Sequence, residues 1–373
     1  MTLNFHTYRE IKQQPKVWLQ AYGIVCGMKN QISTFVNKWL GQGYKVVLTG
    51  AGTSAYIGDA LEPALFGTAF SSARAIATTD IITSPELYFD SESKVLLVSF
   101  ARSGNSPESV GAVRAVEKTA GKVAHIFITC NPEGKLALMK GDNILAILLP
   151  PETNDASLAM TSSYSTMLLV CSLIAHIDSI EAQKEYISTL SSCVGAAMDK
   201  YEEAIKDVAG IDFKRAVFLG SGPLKGVAEE SRLKLQELTD GSVMCAFDSF
   251  LGFRHGPKAV VHDDTLLVYL LSDKPAVLRY ELDLVRQIKE KGGNKGCILV
   301  CQSKPEALGD YSGNLCVEIG LPASIPLCYS CVSYIFVAQL LGMFKSMDFG
   351  LCPDTPSVSG NISRVVEGVI LYD

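Results

Sequence analysis

Two loops gather the side chains whose types and spacing suit chemistry. In Ser99-Phe100-Ala101-Arg102-Ser103-Gly104-Asn105-Ser106-Pro107-Glu108-Ser109, hydroxyls, a glycine and an arginine follow an apolar run. At a strand end, such groups stand where the free N–H groups of a helix start can hold an anion, so this loop reads as a phosphate cradle. The second loop, Gly50-Ala51-Gly52-Thr53-Ser54-Ala55, fits the loose G-x-G-x-x-G/A fingerprint of dinucleotide-binding turns and raises the alternative of a nicotinamide-dependent oxidoreductase. Its ribose-binding acid would have to be Asp80, which lies 28 residues beyond Gly52 rather than about 20. A compact phosphate suits the serine loop better than an extended dinucleotide. No P-loop, nucleophile elbow or H-E-x-x-H pattern is present. Cys328-Tyr329-Ser330-Cys331 has C-x-x-C form, but it lies in an apolar run with no second pair or neighbouring histidines, so buried thiols and no metal are expected there.

An internal repeat shows which elements must position these loops. Lys45-Val46-Val47-Leu48-Thr49-Gly50 matches Arg215-Ala216-Val217-Phe218-Leu219-Gly220 at a displacement of 170 residues. Residues 95–99 fall on 265–269 at the same displacement, and 126–130 fall on 297–301 at 171. Each run is apolar and β-branched and leads into a helical pattern, the signature of a buried parallel strand feeding a crossover helix. The fold class is therefore α/β: two tandem doubly wound parallel sheets with an N-terminal helical arm. The expected boundaries are 1–40 for the arm, 41–205 for the first domain and 206–373 for the second, with an acidic helical stretch over 181–205 joining them. In the arm, Thr7-Tyr8-Arg9-Glu10 has capping-box form, a break falls near Gln14-Pro15, and a second helix covers about 30–40.

Ligands of open α/β sheets bind beyond the carboxyl ends of the strands, which is where the serine loop lies. Its repeat partner, Ser272-Asp273-Lys274-Pro275-Ala276, sets Asp273 opposite Ser103 and Ala276 opposite Ser106. An acid there repels a phosphate, so the second half is expected to have lost the anion site.

Composition excludes other classes. With 33 Lys+Arg against 39 Asp+Glu, the chain of 373 residues carries a formal charge of −6 and offers no basic face for nucleic acid. Hydrophobic residues at 48% and charged ones at 19% suit compact α/β packing rather than a disordered chain. Eleven cysteines, an odd number, and an N-terminus without a charged start and apolar core point to a reducing cytoplasm. The apolar run 325–344 is interrupted by Ser330, Ser333, Tyr334 and Gln339, so a buried helix is expected there and no membrane partner.

Gly50-Ala51-Gly52-Thr53-Ser54, the loop Ser103-Gly104-Asn105-Ser106 and Arg254-His255-Gly256-Pro257 in two tandem α/β halves resemble the double sugar-isomerase (SIS) domain family. That family includes the isomerase part of glucosamine-6-phosphate synthase. The longer strings Ala159-Met160-Thr161-Ser162-Ser163, Gly252-Phe253-Arg254-His255-Gly256-Pro257-Lys258 and Pro353-Asp354-Thr355-Pro356-Ser357, with the whole serine loop, look like its galactosamine-6-phosphate deaminase/isomerase branch, also called tagatose-6-phosphate ketose/aldose isomerase. The resemblance spans nearly the whole chain.

What it implies can be carried over by residue. Thr53, Ser54, Arg102, Ser103 and Ser106, with Gly52, match positions that bind the sugar phosphate; Ala101 stands where the synthase has another serine. Ser109 reads as an ordinary helix cap. Glu237 falls on the catalytic glutamate, Lys234 on a neighbouring active-site lysine and His255 on the ring-opening histidine. Glu237 also lies near the end of a helix predicted from Pro223 to Gly241, whose negative terminus favours a basic carboxylate. Arg364 aligns with the stretch where the synthase carries a Schiff-base lysine; a guanidinium stays protonated and cannot serve so, and is expected to hold substrate oxygens or a neighbouring carboxylate. A deaminase needs no such lysine, because its substrate already carries nitrogen at C2. The resemblance thus implies a cofactor-free enzyme acting on a 6-phosphohexosamine as a homodimer with shared sites. A ketose/aldose isomerase of an amine-free sugar and a non-catalytic phosphosugar-binding regulator are the alternatives.

Overall fold

Continuous runs of valine, leucine and isoleucine can be strands only where both faces are covered, and the chain meets that demand with two parallel five-stranded sheets flanked by helices. The computed structural model describes residues 4–309, 313–366 and 368–372. The first sheet comprises β1 (Lys45–Thr49), β2 (Arg74–Ala75), β3 (Lys94–Ala101), β4 (Lys122–Thr129) and β5 (Ile144–Leu148), in the order β2-β1-β3-β4-β5. The second comprises β6 (Arg215–Leu219), β7 (Met244–Asp248), β8 (Thr265–Leu270), β9 (Gly296–Cys301) and β10 (Leu315–Glu318), in the order β10-β9-β8-β6-β7. All pairings are parallel. The three repeat anchors therefore lie on β1, β3 and β4 and recur on β6, β8 and β9.

The helices are α1 (His6–Lys12), α2 (Gln14–Gly27), α3 (Lys29–Gly41), α4 (Thr53–Ala64), α5 (Thr78–Thr83), α6 (Pro107–Thr119), α7 (Lys135–Leu138), α8 (Ser162–Ala175) and α9 (Lys184–Ala209). They continue with α10 (Pro223–Leu238), α11 (Phe250–Phe253), α12 (Pro275–Lys291), α13 (Leu327–Ser330) and α14 (Ile335–Asp348). The segment Leu327–Asp348 is long and apolar enough to cross a membrane by length and composition, but it is buried inside the protein. The eleven cysteines are free thiols, and Cys328 and Cys331 are buried.

The chain forms two compact units. One takes residues 16–155, 160–187 and the described part of 363–372, and holds the first sheet; the other takes 4–15, 156–159, 188–309 and 313–362, and holds the second. The N-terminal residues 4–40 thus divide between the units. Residues 4–15 pack with the second sheet's unit, where Gln14 donates its amide to Gln339 on α14. Residues 16–40 pack with the first, where Trp18 donates its indole N–H to Ser165.

The capping box expected at Thr7 does not form. Thr7 lies inside α1, and the helix start is capped from far along the chain: Asp354 accepts from the backbone N–H of His6 and Thr7 and from the Thr7 hydroxyl at 2.8–2.9 Å. Glu10 turns instead to the 156–157 loop, accepting from the N–H of Ala156 and Ser157 and from the Ser157 hydroxyl. A carboxylate satisfying two loop N–H groups is worth more there than in a local box.

Candidate active site

Two glycines make the first turn of the expected anion cradle possible. A Cβ on Gly50 would lie 2.5 Å from the backbone of Ser54, so only glycine lets α4 start directly above β1. Gly52 at the N-cap has φ 53°, a left-handed conformation that glycine adopts without strain. Thr53 and Ser54, the first helical residues, are both buried.

The serine loop leaves β3 and is fixed from both sides. Asn131 donates its amide to the Ser103 carbonyl at 3.0 Å, and Asn105 accepts from the N–H of Lys135 at 3.0 Å. Ser106 is the N-cap of α6: its hydroxyl accepts from the N–H of Ser109 at 3.2 Å and meets the Ser109 hydroxyl at 2.7 Å. The cap is thus Ser106, not Ser109, because Pro107 enters the helix at its first turn, where a missing N–H costs nothing. Ser54, Arg102, Ser103, Ser106, Glu108 and Arg364 line one cavity at the carboxyl end of the first sheet. Gly52 and Thr53 stand beside it, at the N-cap and first residue of α4.

The two arginines hold the chain itself. Arg102 is 7% exposed and donates through Nη2 to the Arg364 carbonyl. Arg364 donates through Nε and Nη2 to the Asp155 carbonyl at 2.8 and 2.6 Å and through Nη2 to the Asn154 amide oxygen at 3.0 Å. The partner expected for Arg364, a substrate oxygen or a carboxylate, is here a backbone carbonyl and an amide. Asp155, which sequence reading passed over, is fully buried and organises the start of α8. Its carboxylate accepts from the N–H of Thr161 and Ser163 at 2.8 and 3.0 Å and from the hydroxyls of Ser162 and Ser163 at 2.5 and 2.6 Å. The tripeptide Thr161-Ser162-Ser163 was the available signal, since clustered hydroxyls at a helix start call for an acceptor.

In the second unit, α10 carries the other expected group. Lys234 is fully buried, with Nζ 2.6 Å from Glu237 Oε2 and 3.3 Å from Glu230 Oε1. Burial alone would lower the lysine's pKa; the Glu230 and Glu237 carboxylates outweigh it and raise the value, keeping the ammonium charged. Glu237 retains partial exposure, with 22% of its side chain accessible. Glu230 was missed, although Glu230, Lys234 and Glu237 at i, i+4 and i+7 share one helix face. The close approach of α14 depends on Gly342, where a Cβ would meet Leu238 Cδ1 at 2.9 Å and the Lys234 carbonyl at 3.1 Å. Helix α10 ends at Leu238, three residues before the expected Gly241, because Asp240 and Gly241 take positive φ and the Gly241 N–H closes onto the Gln236 carbonyl. His255 is exposed in the turn after α11, its N–H bonded to the Gly252 carbonyl at 2.9 Å. Among the described residues its ring makes no recorded hydrogen bond to the Lys234–Glu237 pair.

The repeat partner of the cradle is filled from within. Glu281 on α12 is fully buried and accepts from the Ser272 N–H at 2.7 Å. Burial pushes its carboxyl up to about 7, against hydrogen bonds from the Ser272 N–H and the Ser221 hydroxyl and with the help of the Asp273 charge. The expected acid, Asp273, is therefore joined by a second one that sequence comparison did not reveal.

Known proteins resemble this chain over nearly its full length. Residues 41–177 match the SIS domain family. D-galactosamine-6-phosphate deaminase AgaS of Escherichia coli is 35% identical over 98% of this chain and 95% of its own, and its counterpart in Shewanella sp. (strain ANA-3) is 37% identical over 99% and 92%. The crystal structure of tagatose-6-phosphate ketose/aldose isomerase from Escherichia coli superposes with a TM-score of 0.90 at 32% identity, covering 99% of this chain and 97% of that one. With its two parallel sheets, its strand-end cradle and this full-length likeness, the chain belongs to the SIS-domain phosphosugar family, in the branch of the D-galactosamine-6-phosphate deaminase AgaS proteins.

Proposed function

We infer that the protein converts D-galactosamine 6-phosphate and water to tagatose 6-phosphate and ammonia. Ser54, Ser103 and Ser106, with Thr53, Arg102 and the Gly52 turn, hold the phosphate in the first domain, 41–205. The second domain, 206–373, carries the chemistry. His255 passes a proton to the ring oxygen as the sugar opens, a task suited to an imidazole. Glu237 takes the proton from C2 of the open-chain amino aldose and returns it to C1. The resulting C2 imine adds water and expels ammonia, which leaves the ketose. Lys234 stays protonated and fixes the Glu237 carboxylate. Neither metal nor redox cofactor enters this sequence of steps, and we place the enzyme in the cytoplasm as a homodimer in which the exposed His255 serves the neighbouring subunit.

The observation that carries this reading is the Lys234–Glu237 pair. A fully buried ammonium is costly to maintain, and here it clamps a partly exposed carboxylate at 2.6 Å, which suits a positioned base. The names of the full-length relatives favour the amino sugar, and that of the Escherichia coli structure favours an amine-free ketose as the second reading. Assays with galactosamine, glucosamine and tagatose 6-phosphates side by side in D₂O separate them. Stoichiometric ammonia with solvent deuterium at C1 is expected from galactosamine 6-phosphate. Rapid tagatose 6-phosphate isomerisation with no ammonia from any amino sugar would favour the isomerase, and binding without turnover the regulator. If sites are shared, mixing Glu237→Gln with His255→Ala subunits should restore activity that neither parent has.

A further inference from the structure

Glu230 stands one turn before Lys234 on α10. Neither side chain has any solvent exposure, and Glu230 Oε1 lies 3.3 Å from the Lys234 Nζ. Stability does not account for the pair, because two charges must leave water to form it and apolar side chains of similar size commonly serve as well. Nor is Glu230 needed to hold Glu237, whose Oε2 already lies 2.6 Å from the same ammonium. What the second carboxylate changes is the charge that remains when Glu237 is protonated. Glu230, Lys234 and Glu237 together carry −1 with Glu237 ionised and 0 with it protonated. Lys234 and Glu237 alone would pass from 0 to +1 with the cation fully buried, and that cost would oppose every proton the base accepts. Burial lowers the Lys234 pKa, and against it the Glu230 charge raises the value at least as strongly as the Glu237 charge does. Other titratable groups on the elements packed against α10 are engaged elsewhere: Lys345 pairs with Asp348, Arg215 with Asp264, the Tyr334 hydroxyl donates to the Leu271 carbonyl, and Asp248 accepts from the Ser249 N–H. The thiols of Cys245 and Cys331 are pushed up by burial and stay neutral. On α10 itself Arg232 lies over the Phe247 ring.

We propose that Glu230 is a positioning residue for the reaction: as the standing counter-ion of Lys234, it lets Glu237 take up a proton and give it back without leaving a buried cation unpaired. The inference rests on the reading of Glu237 as the base and adds the group that sets its strength. Lys234 then keeps one ionised partner at every stage, and the Glu237 carboxylate is held in place without being locked into its charged form.

The test is the pH dependence of kcat with galactosamine 6-phosphate. Glu230→Gln keeps the size of the side chain and removes its charge, so that Lys234 has Glu237 alone as counter-ion and draws its pKa down. The acid limb of kcat should then move to lower pH by about one unit, and the plateau should fall by about ten- to a hundredfold with KM little changed. Glu230→Asp keeps the charge and should recover most of kcat, with the limb in its wild-type place. In a Lys234→Met background Glu230→Gln should cost little more, because Glu230 acts through the ammonium. An acid limb unmoved in Glu230→Gln, an equal loss in the aspartate variant, or full additivity with Lys234→Met would overturn the proposal and leave Glu230 as a support of the helix. If the wild type does not turn over the sugar, or if Glu237→Gln keeps kcat, the functional reading fails and this inference with it. An inactive Glu237→Gln beside an unchanged Glu230→Gln would remove this inference alone.

Discussion

Gly52 and Gly222 occupy the same step of the two sheets, with φ/ψ of 53°/−127° and 57°/−128°. Both are preceded by a glycine whose Cβ would collide with the helix above, at 2.5 Å for Gly50 and 2.1 Å for Gly220. The chain therefore builds the same strand-turn-helix twice. In the first unit, the serine loop presents hydroxyls beside it and a cavity remains. In the second, the Ser272 N–H is satisfied by Glu281, a carboxylate of the protein's own with no solvent exposure. Hydroxyls line the cavity beside the first turn and a carboxylate fills the place beneath the second, so the side chains decide whether room for an anion remains. In the proposed mechanism that difference leaves the second unit to carry the base, Glu237 on α10.

The sharpest way to break this comparison is to remove the proposed base. Glu237→Gln should lower kcat by a factor on the order of 10²–10⁴ and abolish both ammonia release and deuterium uptake, with sugar-phosphate affinity largely kept. A large KM effect with little change in kcat would place Glu237 in binding and erase the distinction between the units. Next comes the cradle. Ser103→Ala with Ser106→Ala should raise KM by roughly two orders of magnitude, since hydrogen bonds to a charged group are worth about 1.5–3 kcal/mol each and Ser106 already spends part of its capacity on the helix cap. An unchanged KM would sink the assignment.

How much of this was legible in the sequence depended on range. Strands β1, β3, β4, β6, β8 and β9 were readable because a strand buried on both faces is apolar throughout, and the repeat displayed each of them twice. The edge strand β2 is two residues long, Arg74–Ala75, and carries no such signal. The serine loop was readable because its donors are local. Asp354 caps α1 across more than 340 positions and leaves no spacing to detect, whereas Asp155 under α8 and Glu281 beneath the second turn lie only six and nine residues from the N–H groups they accept from, across loops whose course no period prescribes. Arg364 shows the limit from the other side: its place in the cavity followed from the resemblance, but its partners depended on where the Asp155 carbonyl points.

The plug in the second turn gives a stability prediction. An unfolded glutamate titrates near 4.5, whereas Glu281 in the native protein titrates at about 7. Below about pH 4.5 both states hold the proton and nothing is lost. Between the two values only the native state keeps it, so stability falls as pH rises, and above 7 the full penalty of a buried charge remains, about 3 kcal/mol from the size of the shift. Glu281→Gln keeps an acceptor for the Ser272 N–H and removes the charge. Its unfolding midpoint should match the wild type near pH 4.5 and exceed it increasingly toward pH 8. Parallel midpoints across that range would mean that the carboxylate is not the internal anion of the second turn.

The smallest effect is expected at Asp273, the residue that the repeat sets opposite Ser103. It lies in the second unit's loop and not in the cradle, so Asp273→Ala should leave KM for the sugar phosphate within about twofold of wild type, against the large rise from the serine pair. The substitution has a different signature. The Asp273 charge is among the causes that hold Glu281 up, so removing it should bring the Glu281 carboxyl down toward its ordinary range. The fall in stability should then be complete at a lower pH and be smaller in total, leaving the variant slightly more stable than wild type above pH 7. A KM rise comparable to that of the Ser103→Ala and Ser106→Ala protein would show the two loops acting alike on substrate, and the asymmetry between the units would have to be drawn elsewhere.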